Sequence, residues 1–561
     1  MRPTRNSRLV VGALAVFLIS MPAIAGALPE RVAKAAEERT AAGVHKTLVF
    51  GVVDGDKSEV VVFGRLDDGK ALDDGKAPDD GKAPDGDTVY EIGSITKTFT
   101  ATLLAQAVLS GRVSLETPVG QLLPDFKIPS REAKQITLGD LATQYSGLPR
   151  LPSDFMPADP ENPYADYGAA KLKDSLATYK LPRDPGAAYE YSNLGFGLLG
   201  YALAQSAHVS YGELVDREIF KVLGMTMSST ALTDAMRAHL APGHDEQGKP
   251  AKNWDLDALA GAGAIRSTAN DMLRYLRANM GIDSSPLSPA MISAQQPRRD
   301  MSKTMRVGLA WITTYRGIVW HNGGTGGYRS FLGFTGDRRH GVIVLTDSAV
   351  SVDDLGLATL EADAPLNPVY KETALPEASL DDYVGTFRLG ANFLLKIFRM
   401  KDGLYARATG QSAIPIFPSA PNAFFARVAG ISLTFTRDGA GAVTGLVLHQ
   451  NGDHAAPKLE PSELPPEPHE IALDAAALGD YTGLYQFDFG RLDVVLDGDH
   501  LEARLTGQPA FPIFASGRNA FFYKIVDAQL DFERNADNKV VAVVLHQNGQ
   551  DMRASRIAAQ P

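Results

Sequence analysis

Residues 94–97 read Ser94-Ile95-Thr96-Lys97, the one S-x-x-K in the chain. A serine and a lysine three residues apart on a helix lie on the same face. A serine hydroxyl becomes a nucleophile when a neighbouring base takes its proton, and a lysine amine can do so. The tetrapeptide therefore predicts covalent serine catalysis, although so short a pattern also arises by chance and needs support from the rest of the chain.

The residues after Ser94 predict a helix, because Ile95, Phe99, Leu103 and Leu104 form an apolar stripe at helical spacing. Similar patterns predict further helices at 29–42, 195–206, 211–223 and 268–280. Apolar runs with turn residues at their ends predict strands at 48–53, 60–64, 317–320, 331–335 and 341–345. Helices and strands therefore alternate up to about residue 349.

Composition limits the classes of function. The chain has 561 residues, 44% of them hydrophobic, which is too long for one ordinary core and predicts two or three domains. Its formal net charge is -11 and no basic cluster stands out, so nucleic acid and anionic membranes are not expected partners. It has no cysteine, which excludes disulfides and thiolate catalysis.

The N-terminus predicts a secretory signal peptide at residues 1–25. Arg2, Arg5 and Arg8 precede the apolar run 9–19, and Ala23-Ile24-Ala25 has the small-x-small pattern of a cleavage site. The apolar run is short for a membrane span. We therefore expect a periplasmic or secreted protein with no stable membrane insertion after cleavage; an uncleaved anchor is the alternative.

A low-complexity tract separates the first strand pair from Ser94. Asp-Asp-Gly-Lys-Ala occurs at 67–71, 73–77 and 79–83, broken only by single residues. Such a composition cannot bury apolar area, which predicts a loop. The alternative, a calcium-binding loop, lacks the closing glutamate at the required spacing.

The C-terminal third repeats itself at an offset of 97 to 98 residues. Tyr383-Val-Gly-Thr-Phe matches Tyr481-Thr-Gly-Leu-Tyr, Asn422-Ala-Phe-Phe matches Asn519-Ala-Phe-Phe, and Leu448-His-Gln-Asn-Gly matches Leu545-His-Gln-Asn-Gly. Short β-like runs with Gly and Asn turns predict two small all-β modules, at 379–455 and 473–557. His449 and His546 recur at equivalent positions, and a structural role is favoured over ligand binding.

Two further motifs accompany Ser94. Tyr191-Ser192-Asn193 precedes an apolar helix. A tyrosine near a lysine ammonium can have its pKa lowered enough to act as a base, and an asparagine amide can bind both a lysine and a substrate carbonyl. His321-Asn322-Gly323-Gly324 follows a strand-like run, and its small residues would let a substrate backbone approach closely.

With motifs in the order S-x-x-K, Y-x-N and H-x-G, residues 30–350 resemble the serine β-lactamase and D,D-peptidase superfamily, in its class C and esterase-like branch. The segments that flank these motifs resemble the family as well: Tyr90-Glu-Ile-Gly-Ser94, Tyr145-Ser-Gly-Leu-Pro149, Gly261-Ala-Gly-Ala264 and Gly326-Gly-Tyr328. The resemblance implies an α+β catalytic domain over 28–360, with an antiparallel sheet flanked by helices and an all-helical lobe.

The resemblance also implies the roles of the motif residues. Ser94 would be the nucleophile, Lys97 would help to deprotonate it, and Tyr191 would act as general base and then as acid. Asn193 would orient Lys97 and the substrate, and His321 and Gly323 would bind substrate. The backbone N–H groups of Ser94 and Gly324 would hold the oxyanion.

One departure from class C β-lactamases concerns the third motif, where this chain has His321 in place of the lysine of K-T-G. Lysine offers a fixed charge to a substrate carboxylate, whereas histidine is mostly neutral at pH 7. Such a motif resembles the peptidase, D-aminopeptidase and esterase members, and it argues against strong β-lactamase activity.

The sequence thus predicts a secreted serine hydrolase that forms an acyl-enzyme through Ser94 on compact amides or lactams, of the β-lactam or D-amino-acid peptide type. A small-ester esterase of the same fold and a slowly acylated binding or sensing protein remain alternatives. The expected partner is a small molecule or a short peptide, which includes a cell-wall peptide. No cofactor or metal is expected, and Trp254, Trp311 and Trp320 are predicted to belong to the core.

Overall fold

The computed structural model describes residues 28–66 and 83–557, except 391–392, 401–402, 410, 412, 428–430, 451–452, 465–468, 488–489, 499, 507, 509, 527 and 548–549. The predicted signal peptide and the tract at 67–82 lie outside the described residues. The described chain forms an α+β domain followed by two antiparallel β modules, so the predicted fold class is confirmed.

The first domain is built on an eight-stranded antiparallel sheet. The strands of this domain are β1 (Thr47–Asp54), β2 (Lys57–Gly64), β3 (Val89–Glu91), β4 (Ser130–Arg131), β5 (Lys134–Gln135), β6 (Arg266–Thr268), β7 (Arg299–Asp300), β8 (Met305–Val307), β9 (Ile312–Thr314), β10 (Val319–Gly324), β11 (Arg329–Phe334) and β12 (His340–Thr346). Outside the main sheet, β3 pairs with β6 and β4 pairs with β5. The sheet order is β2-β1-β12-β11-β10-β9-β8-β7. Because Val49 on β1 lies opposite Leu345 on β12, the two ends of the domain meet inside the sheet.

Helices cover both faces of this sheet. They are α1 (Glu30–Ala41), α2 (Thr96–Leu109), α3 (Val119–Leu122), α4 (Leu138–Ala142), α5 (Ala169–Thr178), α6 (Asn193–Ser206), α7 (Tyr211–Val215), α8 (Lys221–Leu223), α9 (Asp234–Arg237), α10 (Ala269–Met280), α11 (Ser288–Gln295) and α12 (Asp353–Leu360). A π-helical turn, Asp216–Phe220, joins α7 to α8, so the helix predicted at 211–223 is interrupted.

Strand β1 shows how the sequence directs this arrangement. Successive side chains of a strand point to opposite faces. Val49 and Val53 therefore pack with α10, whereas Leu48, Phe50 and Val52 pack with α1 and α12. Full burial of such a side chain stabilises the fold by about 1.5–3 kcal/mol. A continuous apolar run gains this stabilisation at every position only in a central strand that is covered on both faces.

Helix α2, which follows Ser94, is buried on all sides rather than along one stripe, a difference from the sequence prediction. Threonines occupy the positions that a surface helix would give to charged residues. Their hydroxyls are satisfied locally or across to neighbouring elements: Thr98 donates to the Ile95 carbonyl at 2.8 Å and Thr100 to the Gly261 carbonyl at 2.8 Å. A buried helix is thereby made compatible with polar residues.

The first β module has eight strands in sequence order. They are β13 (Gly385–Gly390), β14 (Phe393–Met400), β15 (Gly403–Ala408), β16 (Ile414–Ala420), β17 (Ala423–Phe425), β18 (Ser432–Arg437), β19 (Val443–His449) and β20 (Asp453–Pro457). Phe387 on its first strand forms one bridge with Lys458, the residue that follows its last strand.

The second module begins with α13 (Ala475–Gly479) and forms a closed barrel. Its strands are β21 (Gly483–Gln486), β22 (Arg491–Asp497), β23 (His500–Leu505), β24 (Phe511–Ala515), β25 (Ala520–Tyr523), β26 (Ala528–Arg534), β27 (Val540–Gln547) and β28 (Gln550–Ile557). The barrel closes where Leu484 pairs with Ile557.

The repeated motifs form the same cluster in both modules. In the second module the Asn519 side-chain oxygen accepts from Tyr481 at 3.1 Å and from Arg534 at 2.9 Å, and Arg534 pairs with Asp480 at 2.9 Å. In the first module Asn422 holds the equivalent tyrosine and arginine. The repeat thus preserves a hydrogen-bonded tie between strands.

The two repeated histidines also tie strands together. The Nδ1 atoms of His449 and His546 lie 2.7 Å from carboxylate oxygens of Asp453 and Asp551. Their Nε2 atoms face Thr434 at 3.0 Å and Asp531 at 3.2 Å. These contacts are those of a structural histidine.

Hydrogen bonds link the second module to the first domain and to the first module. Thr506 in the second module donates to the Ser153 carbonyl of the first domain at 2.9 Å, and the Ala413 N–H of the first module donates to Ile525 at 2.8 Å. Across 28–66 and 83–557, no helix has both the length and the apolar character needed to span a membrane.

Candidate active site

Ser94 lies in a 3₁₀ turn, Gly93–Ile95, that runs directly into α2. Gly93 has φ +49°, and a Cβ there would lie 2.5 Å from the Gly324 nitrogen. Only glycine permits both this conformation and this approach. The turn therefore places Ser94 at the end of β10, where the third motif is found.

The three predicted catalytic residues meet at the Ser94 hydroxyl. Lys97 Nζ is 2.9 Å from Ser94 Oγ, and the Tyr191 hydroxyl is 2.7 Å from the same atom. Lys97 Nζ also lies 5.0 Å from the centre of the Tyr191 ring. The structure thus brings together a nucleophile and two groups able to exchange its proton.

Lys97 is completely buried and has three oxygen neighbours. Besides Ser94, its Nζ lies 2.9 Å from Asn193 Oδ1 and 2.7 Å from the Ala262 carbonyl oxygen. Burial, reinforced by the charge of Arg150, lowers the pKa of Lys97 well below its usual value. In its neutral form the amine has two N–H groups for the two carbonyl-type oxygens and a lone pair that can accept a proton from the Ser94 hydroxyl.

Tyr191 behaves differently from the sequence prediction. Burial raises its pKa to about 12, although the hydrogen bond to Ser94 and the charge of Arg150 oppose this rise. The sequence predicts a pKa lowered by a lysine ammonium. The reason for the difference is burial, which is the largest influence on the Tyr191 pKa and outweighs the opposing effects of Ser94 and Arg150.

Asn193 is held by its backbone and by both ends of its amide. It begins α6, whose N-cap is Ser192, and its N–H donates to the Arg150 carbonyl at 2.9 Å. Its Oδ1 accepts from Lys97, and its Nδ2 faces the Tyr164 hydroxyl at 3.4 Å. The amide orientation suits the lysine, as the resemblance implied.

His321 is buried, and it is uncharged at neutral pH. Burial and the nearby Lys97 lower its pKa to about 3. Its Nδ1 lies 2.6 Å from the Asn322 carbonyl oxygen, which can only accept, so Nδ1 carries the proton. His321 therefore offers Nε2 as an acceptor and no positive charge.

The two glycines after Asn322 serve different ends. A Cβ on Gly323 would lie 2.0 Å from the Ile92 carbonyl oxygen, so this glycine admits the chain's own turn and is buried. Substrate binding at Gly323 stays a prediction. Gly324 is exposed and faces the turn that carries Ser94.

Sequence reasoning missed three parts of the site: the Ala262 carbonyl, Tyr164 and Arg150. Ala262 and Arg150 lie in or next to segments singled out as flanks of the motifs, whereas Tyr164 had no signal. Trp254 packs against the core as a partly buried residue, and it also borders the site, since its ring centre lies 5.3 Å from that of Tyr164. Trp311 is fully buried, as predicted.

Possible metal ligands lie elsewhere. Among the described residues, the one group of three whose ligand atoms fall within 4.8 Å of one another is Asp497, His500 and Glu502, in the second module.

Comparison with known proteins identifies both parts of the chain. Residues 32–366 match the family model Beta-lactamase, and residues 370–463 and 467–556 each match a domain of unknown function, DUF3471. A solved class C beta-lactamase covers 60% of this chain and 96% of its own, with a TM-score of 0.50 at 22% identity, which shows the fold.

Curated relatives agree with this match. A Beta-lactamase of Providencia stuartii is 32% identical over 198 residues, 34% of this chain and 47% of that protein. Penicillin-binding protein 4* of Bacillus subtilis is 24% identical over 399 residues, 65% of this chain and 86% of that protein. D-alanyl-D-alanine-carboxypeptidase/endopeptidase AmpH of Escherichia coli is 28% identical over 279 residues, 46% and 71%.

This chain spans about half the length of the first two relatives it matches. The family model, by contrast, covers more than half of this chain, and its range contains all three motifs. The chain therefore belongs to the Beta-lactamase family of serine hydrolases.

Proposed function

We propose that this protein is a secreted or periplasmic hydrolase that forms an acyl-enzyme through Ser94 on compact amides or lactams, of the β-lactam or D-amino-acid peptide type. The observation that carries the proposal is the Ser94 hydroxyl, held between Lys97 Nζ at 2.9 Å and the Tyr191 hydroxyl at 2.7 Å. The export step rests on the signal peptide predicted at 1–25.

In the proposed acylation, neutral Lys97 takes the Ser94 proton as Oγ attacks the substrate carbonyl carbon. Protonated Tyr191 then donates its proton to the leaving amine as the C–N bond breaks. The new Lys97 ammonium returns a proton to Tyr191, which leaves both groups as they began. In deacylation the same steps run in reverse with water in place of the amine. Water attacks the ester carbonyl carbon, the bond to Oγ breaks, and the products are a carboxylic acid and free Ser94.

The backbone N–H groups of Ser94 and Gly324 are the proposed oxyanion donors. The contact of Gly93 with Gly324 keeps these two segments together. Loss of one such donor typically slows acyl transfer by about two to three orders of magnitude.

The match to D-alanyl-D-alanine-carboxypeptidase/endopeptidase AmpH supports a D-alanyl peptide substrate, and the match to penicillin-binding protein 4* supports a β-lactam ligand. A small ester is the second candidate. The neutral, buried His321 favours it, because an ester without a carboxylate needs no cation on the third motif.

A substrate panel on wild type and Ser94→Ala tests the proposal. It contains a chromogenic cephalosporin, a D-Ala-D-Ala peptide, a D-amino-acid amide and p-nitrophenyl esters. We expect Ser94→Ala to lose hydrolysis by several orders of magnitude, as removal of a catalytic serine does. Ser206→Ala, an exposed serine at the end of α6, serves as the control.

Wild-type activity in Ser94→Ala would refute the mechanism. An acyl-enzyme that forms in the wild type and does not hydrolyse would instead support the binding or sensing alternative.

A further inference from the structure

Arg150 stands beside the candidate catalytic residues. Its guanidinium carbon lies 5.2 Å from the centre of the Tyr191 ring, and its backbone carbonyl accepts the first N–H group of α6. The backbone contact fixes where the side chain starts. The charge therefore lies beside Tyr191, next to the start of α6.

The Arg150 side chain is exposed, and within the described part of the chain it has no hydrogen bond and no ion pair. Other arginines close to the site are already paired: Arg183 with Glu190, and Arg299 with Asp140 at 2.9 Å. A guanidinium offers five N–H groups in a fork that matches a carboxylate. Arg150 thus keeps its full donor capacity for a ligand.

The other basic groups of the site are less able than Arg150 to bind an anionic substrate. Lys97 is buried and its pKa is lowered, and His321 is neutral. Arg329 lies against Gly324, but its Nη1 donates to the Thr325 carbonyl at 2.7 Å and the Tyr328 carbonyl at 2.9 Å. Its Nη2 lies 3.7 Å from Glu246.

We propose that Arg150 is a specificity-determining residue that binds a carboxylate of the substrate. This inference rests on the proposed function, because it names a group carried by the substrate of the Ser94 site. The carboxylate comes either from the acyl side or from the leaving side of the scissile bond. In both cases Arg150 supplies the positive charge that the third motif lacks.

Binding to the full chain tests the inference without turnover. Calorimetry in a Ser94→Ala background compares two peptide pairs that differ in one carboxylate. N-acetyl-D-Ala-D-Ala and its C-terminal amide probe the leaving side; the N-succinyl and N-acetyl forms of that amide probe the acyl side. Variants are Arg150→Gln, Arg150→Lys and Arg112→Gln, which removes an exposed charge beyond the far end of α2.

We expect Arg150→Gln to weaken the carboxylate member of one pair at least tenfold more than its neutral partner, and Arg150→Lys to lose less. The pair that responds identifies the side of the bond. Arg112→Gln should change neither ratio. Equal weakening of both members in each pair would overturn the inference, because Arg150 would then act only through Tyr191. A failure of both carboxylate peptides to bind measurably would overturn it as well.

Failure of the proposed function is recognised separately. A burst of p-nitrophenol from p-nitrophenyl acetate reports acylation of Ser94 in the wild type. A missing burst, together with no turnover of the substrate panel, would refute the acyl-enzyme. The calorimetric ratios would still decide the role of Arg150.

Discussion

Lys97 is the residue that most constrains the chemistry of this site. Among the described residues no carboxylate pairs with this buried lysine, so its charged form is costly and its pKa is lowered. The sequence could predict that Ser94 and Lys97 meet, because their spacing puts them on one helix face, and the family resemblance implied that Tyr191 joins them. It could not predict which of Lys97 and Tyr191 holds the proton, because that depends on burial by residues far away in the chain.

We predict that kcat/KM rises with pH as Lys97 loses its proton, because the proposed base is the neutral amine. The rise should occur well below the usual lysine pKa, and activity should fall only as the pH approaches about 12, where Tyr191 ionises. A pH profile of Ser94 acylation measures both limbs.

Two variants identify the group that produces the acidic limb of this profile. Tyr191→Phe should keep the acidic limb while it loses rate. Burial raises the pKa of Asp353 to about 6, and its Oδ2 accepts a hydrogen bond from Asn322 Nδ2 at 2.7 Å. Asp353→Asn should also keep the acidic limb. Disappearance of the acidic limb in Tyr191→Phe would make tyrosine the base.

A second prediction concerns His45, a fully buried residue that lies two positions before β1 and belongs to none of the three motifs. Burial, with the charge of Arg39, lowers its pKa to about 3. Between pH 6.5 and 3 the unfolded chain therefore binds this proton and the native chain does not, so stability falls as the pH falls. The slope from this one residue is up to about 1.4 kcal/mol per pH unit.

Urea unfolding at pH 7 and pH 5 measures this effect. His45→Gln should reduce the difference in unfolding free energy between the two pH values, whereas substitution of the exposed His454 should not. An unchanged pH dependence in His45→Gln would show that other groups account for the acid sensitivity.

At the scale of elements, two glycines set the distance between α6 and the 3₁₀ turn Ala260–Ala262. A Cβ on Gly261 would lie 2.8 Å from the Gly200 Cα, and a Cβ on Gly200 would lie 2.7 Å from the Gly261 Cα. The turn carries the Ala262 carbonyl that binds Lys97. The close crossing therefore positions a partner of the catalytic lysine.

We predict that Gly261→Ala lowers stability by about 1–3 kcal/mol, the usual cost of overpacking, and lowers the acylation rate as well. Thermal unfolding and burst kinetics measure the two effects. Gly120→Ala in α3 is the matched control, because the nearest atom to its Cβ would be Ile128 Cγ1 at 3.9 Å. If Gly261→Ala acylates at the wild-type rate, the turn does not position Lys97.

Element prediction from the sequence succeeded where one periodicity dominated. The strand pair at β1 and β2 and the helix at α6 lie within a few residues of their predicted bounds. Helix α2 differed, because its threonines are buried by hydrogen bonds to other elements, which hydropathy does not report. The crossing of Gly200 and Gly261 joins residues 61 positions apart, and no local pattern marks it.

At the scale of the whole molecule, duplication was readable because each copy keeps the residues of one hydrogen-bonded cluster. Tyr481, Asn519 and Arg534 in one barrel repeat a set in the other, so the motifs mark side chains that must meet. The contact between Thr506 and Ser153 was not readable, since it involves one hydroxyl and one backbone carbonyl. Such contacts leave no pattern in a single sequence.

The hydrogen bond between Thr506 and Ser153 leads to a prediction about the modules. One neutral hydrogen bond contributes about 0.5–1.5 kcal/mol, whereas the first domain has its own core and contains Ser94, Lys97, Tyr191 and their partners. Deletion of residues 379–561 should therefore leave a folded domain whose Ser94 still reacts with an acylating probe, at a rate within about tenfold of the full chain. Circular dichroism melts establish the fold, and Thr506→Val in the full chain isolates the hydrogen bond. If the truncated domain folds but no longer reacts, whereas Thr506→Val reacts normally, the modules complete the site through a surface larger than this one contact.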